Sequence, residues 1–240
     1  MDRYRRGWTA AAVCGVLMLG GCSAGGDGDS PFGDVSSSSE ETGVEPTRSS
    51  PDDVPDGDVG WQAETEDAVA VVDTFWATHW NDHFTGAYES PQVFGAYRAG
   101  SPDAPGCGGE PALPGNAFYC TDGDFLAWDA QLMADGYRSG DSWVYLVVAH
   151  EWGHAVQNRV LGLSDVAQEL QADCLAGATL FGSEDLRFEE GDTDELAAAL
   201  AALADDTPWT NSSDHGDANE RISSFAAGGR GGVEACMPTE

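Results

Sequence analysis

The chain has no lysine. Its ten basic residues are all arginine and face 42 acidic ones, for a formal net charge of −32 over 240 residues. So one-sided a balance excludes nucleic-acid binding, because phosphates would be repelled. An acidic surface suits basic peptide substrates, or serves only solubility and salt adaptation. The missing lysine itself reads as compositional bias and carries no chemistry. Long apolar runs are also lacking. The apolar stretch Trp8 to Leu19 is too short to span a bilayer comfortably as a mature helix. No two cysteines have the close C-x₂₋₄-C spacing of a structural zinc site, which argues against one. Internal repeats are absent.

The first residues form a targeting segment. Arg3, Arg5 and Arg6 precede the apolar stretch, which ends in Leu19-Gly20-Gly21-Cys22. Small residues before a cysteine resemble a bacterial lipobox. By that resemblance residues 1–21 are a lipoprotein signal peptide and Cys22 is lipidated. The alternative is an ordinary secretory signal cleaved near Ala24. Either way the protein is exported, and its expected location is the extracytoplasmic face of the cell membrane, held by the lipid. Cleavage before Cys22 removes three arginines and one aspartate, so the mature chain is two charges more negative.

Residues 22–60 are Gly, Ser, Asp, Glu and Pro with almost nothing apolar, as in "SSSSEETGVEPTRSSPDDVPDGD". Such a segment buries too little surface to offset its ordering entropy. It is expected to be a disordered acidic tether reaching about 35 Å on average. The folded domain is expected over residues 61–240, long enough for a real core.

Within that domain, helical periodicity covers 62–80, through Val69, Val72, Phe75 and Trp76. The Pro/Gly-rich region Ser90 to Gly115 reads as mostly loop. "NAFYC" and "DFLAWD" read as two strands around the turn Thr121-Asp122-Gly123. Residues 141–161 make the strongest helix, capped by Asp141 or Ser142 and stopped by Gly162. The next helix starts at Ser164 or Asp165 and runs to about Phe181. Further helices cover Asp194–Ala204 and Asp217–Ala227. The pattern predicts an α+β domain, mostly helical, with a small β element before the central helix.

That central helix carries His150-Glu151-Trp152-Gly153-His154. Histidines four apart share one helix face and can reach one zinc ion. Glu151 sits one position round, where it can take a proton from water at the metal. The alternative is a helix that merely carries two histidines. A catalytic site needs a third protein ligand and an open position. The metzincin continuation fails, since Gln157 and Val160 stand where it needs glycine and histidine. Downstream, Glu169 and Asp173 in "ELQADCLAG" are again four apart. If the turn at Gly162–Asp165 folds this helix back, Glu169 can approach the metal. Asp173 can then accept a hydrogen bond from the far nitrogen of a ligating histidine, first of all His150. Otherwise the two carboxylates form a solvated helix face. His79 and His83 are also four apart, but no glutamate follows His79, so packing is expected there.

Four cysteines remain after Cys14 leaves with the signal and Cys22 takes the lipid. They allow three pairings. Cys107–Cys120 closes a short Gly/Pro-rich loop and is the natural first pair, which leaves Cys174–Cys236.

"AHEWGHAVQ" followed by "ELQADCLAG" resembles the neutral zinc metallopeptidases of bacteria, within the gluzincin group. "NAFYC", "GDTDELAAALAALADD" and "HGDANERISSF" resemble further pieces of that family in the same order, over about residues 61–240. The resemblance implies a zincin-like fold and a Zn²⁺ cofactor held by His150, His154 and Glu169, the last in an E-x-x-x-D motif. It implies the same two disulfides. Thr121 departs from the family's usual proline, which touches a turn and not the chemistry. The lipid anchor and acidic tether are not general family features.

The implied activity is peptide-bond hydrolysis with Glu151 as general base. His215 is a candidate donor to the developing oxyanion, or else a packing or capping histidine. Arg221 could orient the loop of His215 or pair with Asp217, a structural role in either case. "DFLAWD" or "NAFYC" could offer an edge to an extended peptide. Two rivals stay open: a non-catalytic, lipid-anchored binding module, and a zinc hydrolase of non-peptide amides.

Overall fold

Near-continuous burial marks Ser142–Arg159, whose Val144, Leu146, Val148, Trp152 and Val156 are all almost fully enclosed. An apolar run that shows no single polar face belongs in the middle of a domain, and this helix takes that place. The computed structural model describes residues 60–160, 163, 168–206, 208 and 215–238. The expected signal peptide, Cys22, nearly all of the tether and the turn residues Gly162, Ser164 and Asp165 lie outside the described residues.

In chain order the elements are α1 (Gly60–His83), β1 (Gln92–Tyr97), β2 (Gly106–Cys107), β3 (Glu110–Pro111), β4 (Ala117–Cys120), β5 (Phe125–Asp129), α2 (Ala130–Tyr137), α3 (Ser142–Arg159), α4 (Gln168–Gly182), α5 (Asp192–Ala202) and α6 (Ala218–Gly231). A 3₁₀ turn, Val233–Cys236, follows α6. The fold is α+β, as the sequence pattern predicts. No helix among the described residues is long and apolar enough to cross a membrane.

Several expectations need correction. The region read as loop, Ser90 to Gly115, contains β1, which pairs in parallel with β5, and the small β2–β3 ribbon. Gly95 hides β1: it sits at a register shift with φ +89°, a conformation glycine adopts freely. Helix α2 has no counterpart in the sequence reading. It starts directly at the end of β5, where Asp129 accepts from the Gln131 backbone N–H and caps it. Asp141 makes no side-chain cap bond to α3. The capping box falls on α6 instead, between Asp217 and Glu220.

Sheet order is β1-β5-β4. "DFLAWD" is therefore the central strand and offers no edge, whereas β4, from "NAFYC", is an edge strand.

Two close helix approaches set the site. A Cβ at Gly153 of α3 would lie 3.0 Å from the Ala172 Cα and carbonyl oxygen, so bare backbone lets α4 come that near. A Cβ at Gly228 of α6 would fall 1.8 Å from the Cys174 carbonyl, a position only glycine permits. Leu175, fully buried in α4, anchors the layer, and its truncation to Ala would cost about 2–5 kcal/mol. Disulfides Cys107–Cys120 and Cys174–Cys236 are both present, the second tying α4 to the 3₁₀ turn across 62 residues of sequence.

Candidate metal centre

Antiparallel helices α3 and α4 bring His150, His154 and Glu169 to one point. His150 Nε2 lies 3.1 Å from Glu169 Oε2, His154 Nε2 lies 3.2 Å from His150 Nε2, and His154 Nε2 lies 3.4 Å from Glu169 Oε2. Tetrahedral zinc with bonds near 2.0–2.1 Å separates its ligand atoms by about 3.3 Å, so this triangle fits one face of such a site. The donor chemistry fits too. Two imidazole nitrogens 3.2 Å apart repel if both carry protons, and a cation between their lone pairs removes that repulsion.

Each histidine's other nitrogen is held. His150 Nδ1 meets Asp173 Oδ1 at 2.8 Å, and His154 Nδ1 meets Gln157 Oε1 at 2.8 Å. Asp173 is fully buried and accepts two bonds from Arg221, at 2.8 Å each, through Nε and Nη2. Arg221 Nη1 also donates to the Leu203 carbonyl at 2.7 Å. Arg221 therefore pairs with Asp173, not with Asp217 as one expectation had it. Burial opposes the charge on Asp173, but the Arg221 and His150 hydrogen bonds outweigh it and hold the carboxyl below the usual range. A buried ion pair depends on its hydrogen bonds, and here each guanidinium nitrogen has a partner.

Burial likewise works against the charge on Glu169, and bonds from the two imidazoles overcome it, keeping the group well below the carboxylate range. Both imidazoles are raised. Burial lowers them, but Asp173 and Glu169 win for His150, and Glu169 for His154. Without a cation, both rings therefore hold a proton more readily than a free imidazole does.

Glu151 is buried beside the triangle. Burial raises its pKa, against the pull of the two histidines and a backbone hydrogen bond from Tyr119 on the edge strand. A carboxyl in a cleft with its pKa raised by burial suits the part of general base. A cavity of about 350 Å³ opens over these groups, lined also by Phe118, Tyr119, Thr121 and Asn158. A second, of about 280 Å³, lies on the other side of His150 and Glu151, with Leu132, Leu146, Val147 and Leu203 in its wall.

His215 stands at the rim of both cavities, half exposed, its Nε2 3.8 Å from Glu169 Oε2. Its backbone N–H donates to Asp205 Oδ2 at 2.7 Å, so α5's end and α6's start fix its position together. His79 and His83 are not brought together: His79 pairs with Asp82 and His83 with Glu234, each at 3.1 Å.

Sequence reasoning missed Gln157 as a partner of His154 and Asp173 as the target of Arg221. The first was readable, because Gln157 follows His154 by three on one helix and so shares its face. The second joins residues 48 apart and depends on the α4–α6 contact. No family model matches the chain, and neither does any curated protein or solved structure.

Proposed function

We propose that the chain is a zinc-dependent peptidase, exported and held at the outer face of the membrane by a lipid on Cys22. One observation carries the proposal: the near-equilateral triangle of His150 Nε2, His154 Nε2 and Glu169 Oε2, with sides of 3.1, 3.2 and 3.4 Å. Zinc held there would polarise a scissile carbonyl and lower the pKa of water.

The chain's own groups do the rest. Glu151 takes a proton from the attacking water and delivers it to the leaving amine. His215, half exposed at the rim of both cavities, donates to the oxyanion. Asp173 and Gln157 keep both imidazoles in the tautomer that aims Nε2 at the cation. Edge strand β4 lines the first cavity and can add an extended peptide as a further strand. The apolar wall of the second cavity takes an apolar side chain next to the cut.

Glu151 favours an enzyme over a binding module. A buried carboxyl with its pKa raised costs stability, and a scaffold that only binds has no use for it.

The test is metal analysis of the purified chain with cleavage profiling on a mixed peptide library, with and without chelator. About one zinc per chain and chelator-sensitive cleavage are expected. Zinc without cleavage of any peptide would sink the peptidase reading and turn attention to non-peptide amides.

A further inference from the structure

Beyond the ligands, a line of side-chain amides runs from His154 to the C-terminal 3₁₀ turn. His154 Nδ1 meets Gln157 Oε1 at 2.8 Å. Gln157 Nε2 donates to the Gln168 carbonyl at 2.7 Å and to Gln171 Oε1 at 3.1 Å. Gln171 Nε2 donates to the Cys236 carbonyl at 2.9 Å. Cys236 is itself bonded to Cys174, three residues after Gln171 on α4.

The direction of this line is forced. A backbone carbonyl only accepts. The Cys236 carbonyl must therefore face the NH₂ of Gln171, which leaves the Gln171 oxygen to face Gln157. The Gln168 carbonyl demands the NH₂ of Gln157 as well, so two independent acceptors fix that amide the same way. The Gln157 oxygen then has one remaining partner, His154 Nδ1, which must carry its proton toward it. His154 Nε2 is left with its lone pair directed into the triangle. Gln157 is buried, and both ends of its amide have protein partners. It also bridges two helices, since Gln168 immediately precedes Glu169 on α4.

We propose that Gln157 and Gln171 are positioning residues, a one-way amide relay through which the disulfide-held C-terminal turn fixes the metal-facing nitrogen of His154. The relay rests on His154 being a zinc ligand, as proposed above. It gives the Cys174–Cys236 bond a second role: by holding the Cys236 carbonyl on Gln171 it tunes zinc affinity, and a reductant that opens the bond loosens the ion.

Zinc dissociation constants, read by chelator competition on the full folded chain, test this without any activity assay. The Gln157→Met variant should bind zinc about 10–100-fold more weakly, the range for losing a ligand's hydrogen-bond partner. The Gln171→Met variant should lose less, about three- to tenfold, and the double variant should match Gln157→Met alone, because Gln171 acts through Gln157. Opening the disulfide by Cys174→Ser with Cys236→Ser should weaken zinc in the wild type and add little in the Gln171→Met background. If Gln157→Met does not fold, this second pair decides: each change must weaken zinc and the two must not add. Unchanged affinity in Gln171→Met, or effects that simply multiply, overturns the relay while leaving the zinc site intact. A wild-type chain that takes up no zinc overturns both. Nitrogen NMR of zinc-loaded His154 adds a direct readout: Nδ1–H is expected in the wild type, with faster solvent exchange in Gln171→Met.

Discussion

Arg221 grips Asp173 through two hydrogen bonds of 2.8 Å, and the same carboxylate holds His150 at 2.8 Å. One anion thus serves a structural cation and a candidate metal ligand. Removing Arg221 leaves that anion buried without its main counter-charge. Arg221→Leu should destabilise the metal-free chain by about 3–5 kcal/mol, while Arg221→Leu with Asp173→Leu should recover much of it. Chemical denaturation of the three proteins measures both; an Arg221→Leu chain as stable as wild type would refute the arrangement.

Glu151→Gln keeps the shape of the side chain and removes its basicity. It should bind zinc as the parent does and lose about 10²–10⁴-fold in peptide hydrolysis. Parallel metal analysis and turnover measurements check this, and full activity in the variant would remove Glu151 from its role.

Glu169→Ala deletes one corner of the triangle. Zinc affinity should fall by more than the roughly 10–100-fold that follows loss of a mere ligand partner. Chelator competition reads the change; an unchanged constant would mean that another group closes the site.

The metal-free chain holds a proton on His150 at neutral pH. Burial works against that proton, yet Asp173 and Glu169 push the pKa from 6.5 up to about 10. A raised group stabilises fully below its unfolded value, and that contribution is lost as pH climbs through the folded value. Melting of the metal-free chain should therefore weaken between pH 6.5 and about 10. A cation must displace the proton, so zinc uptake at pH 7 should release protons and tighten with rising pH. Titration calorimetry in buffers of different ionisation enthalpy counts them, and uptake without proton release would contradict the raised pKa.

Cys22 lies outside the described residues, and its role rests on the lipobox pattern. Cys22→Ala should move the protein from the membrane to the soluble fraction of the exported material. Persistent membrane association, read by fractionation, would discard the lipid anchor.

Much of the site is written in local spacing. His150 with His154, and Glu169 with Asp173, each share a helix face because four residues make about one turn. Their meeting depends on Gly153, whose missing side chain lets Ala172 approach, and the letter G alone does not announce that role. The relay through Gln157, Gln171 and Cys236 was not legible, because its last acceptor is a backbone carbonyl 65 residues from Gln171. Strand β1 escaped for a related reason. Its partner β5 comes about thirty residues later in parallel register, and glycine and proline around it read locally as loop. Helix α2 was short and shared its cap, Asp129, with the end of a strand.

The Cys174–Cys236 link has one more consequence. It encloses α5, His215 and α6 within a covalent ring. A proteolytic nick anywhere along that ring would leave the fragments travelling together, parted only by a reductant. Under the function proposed above, a chain clipped there by another copy would still keep Arg221 beside Asp173.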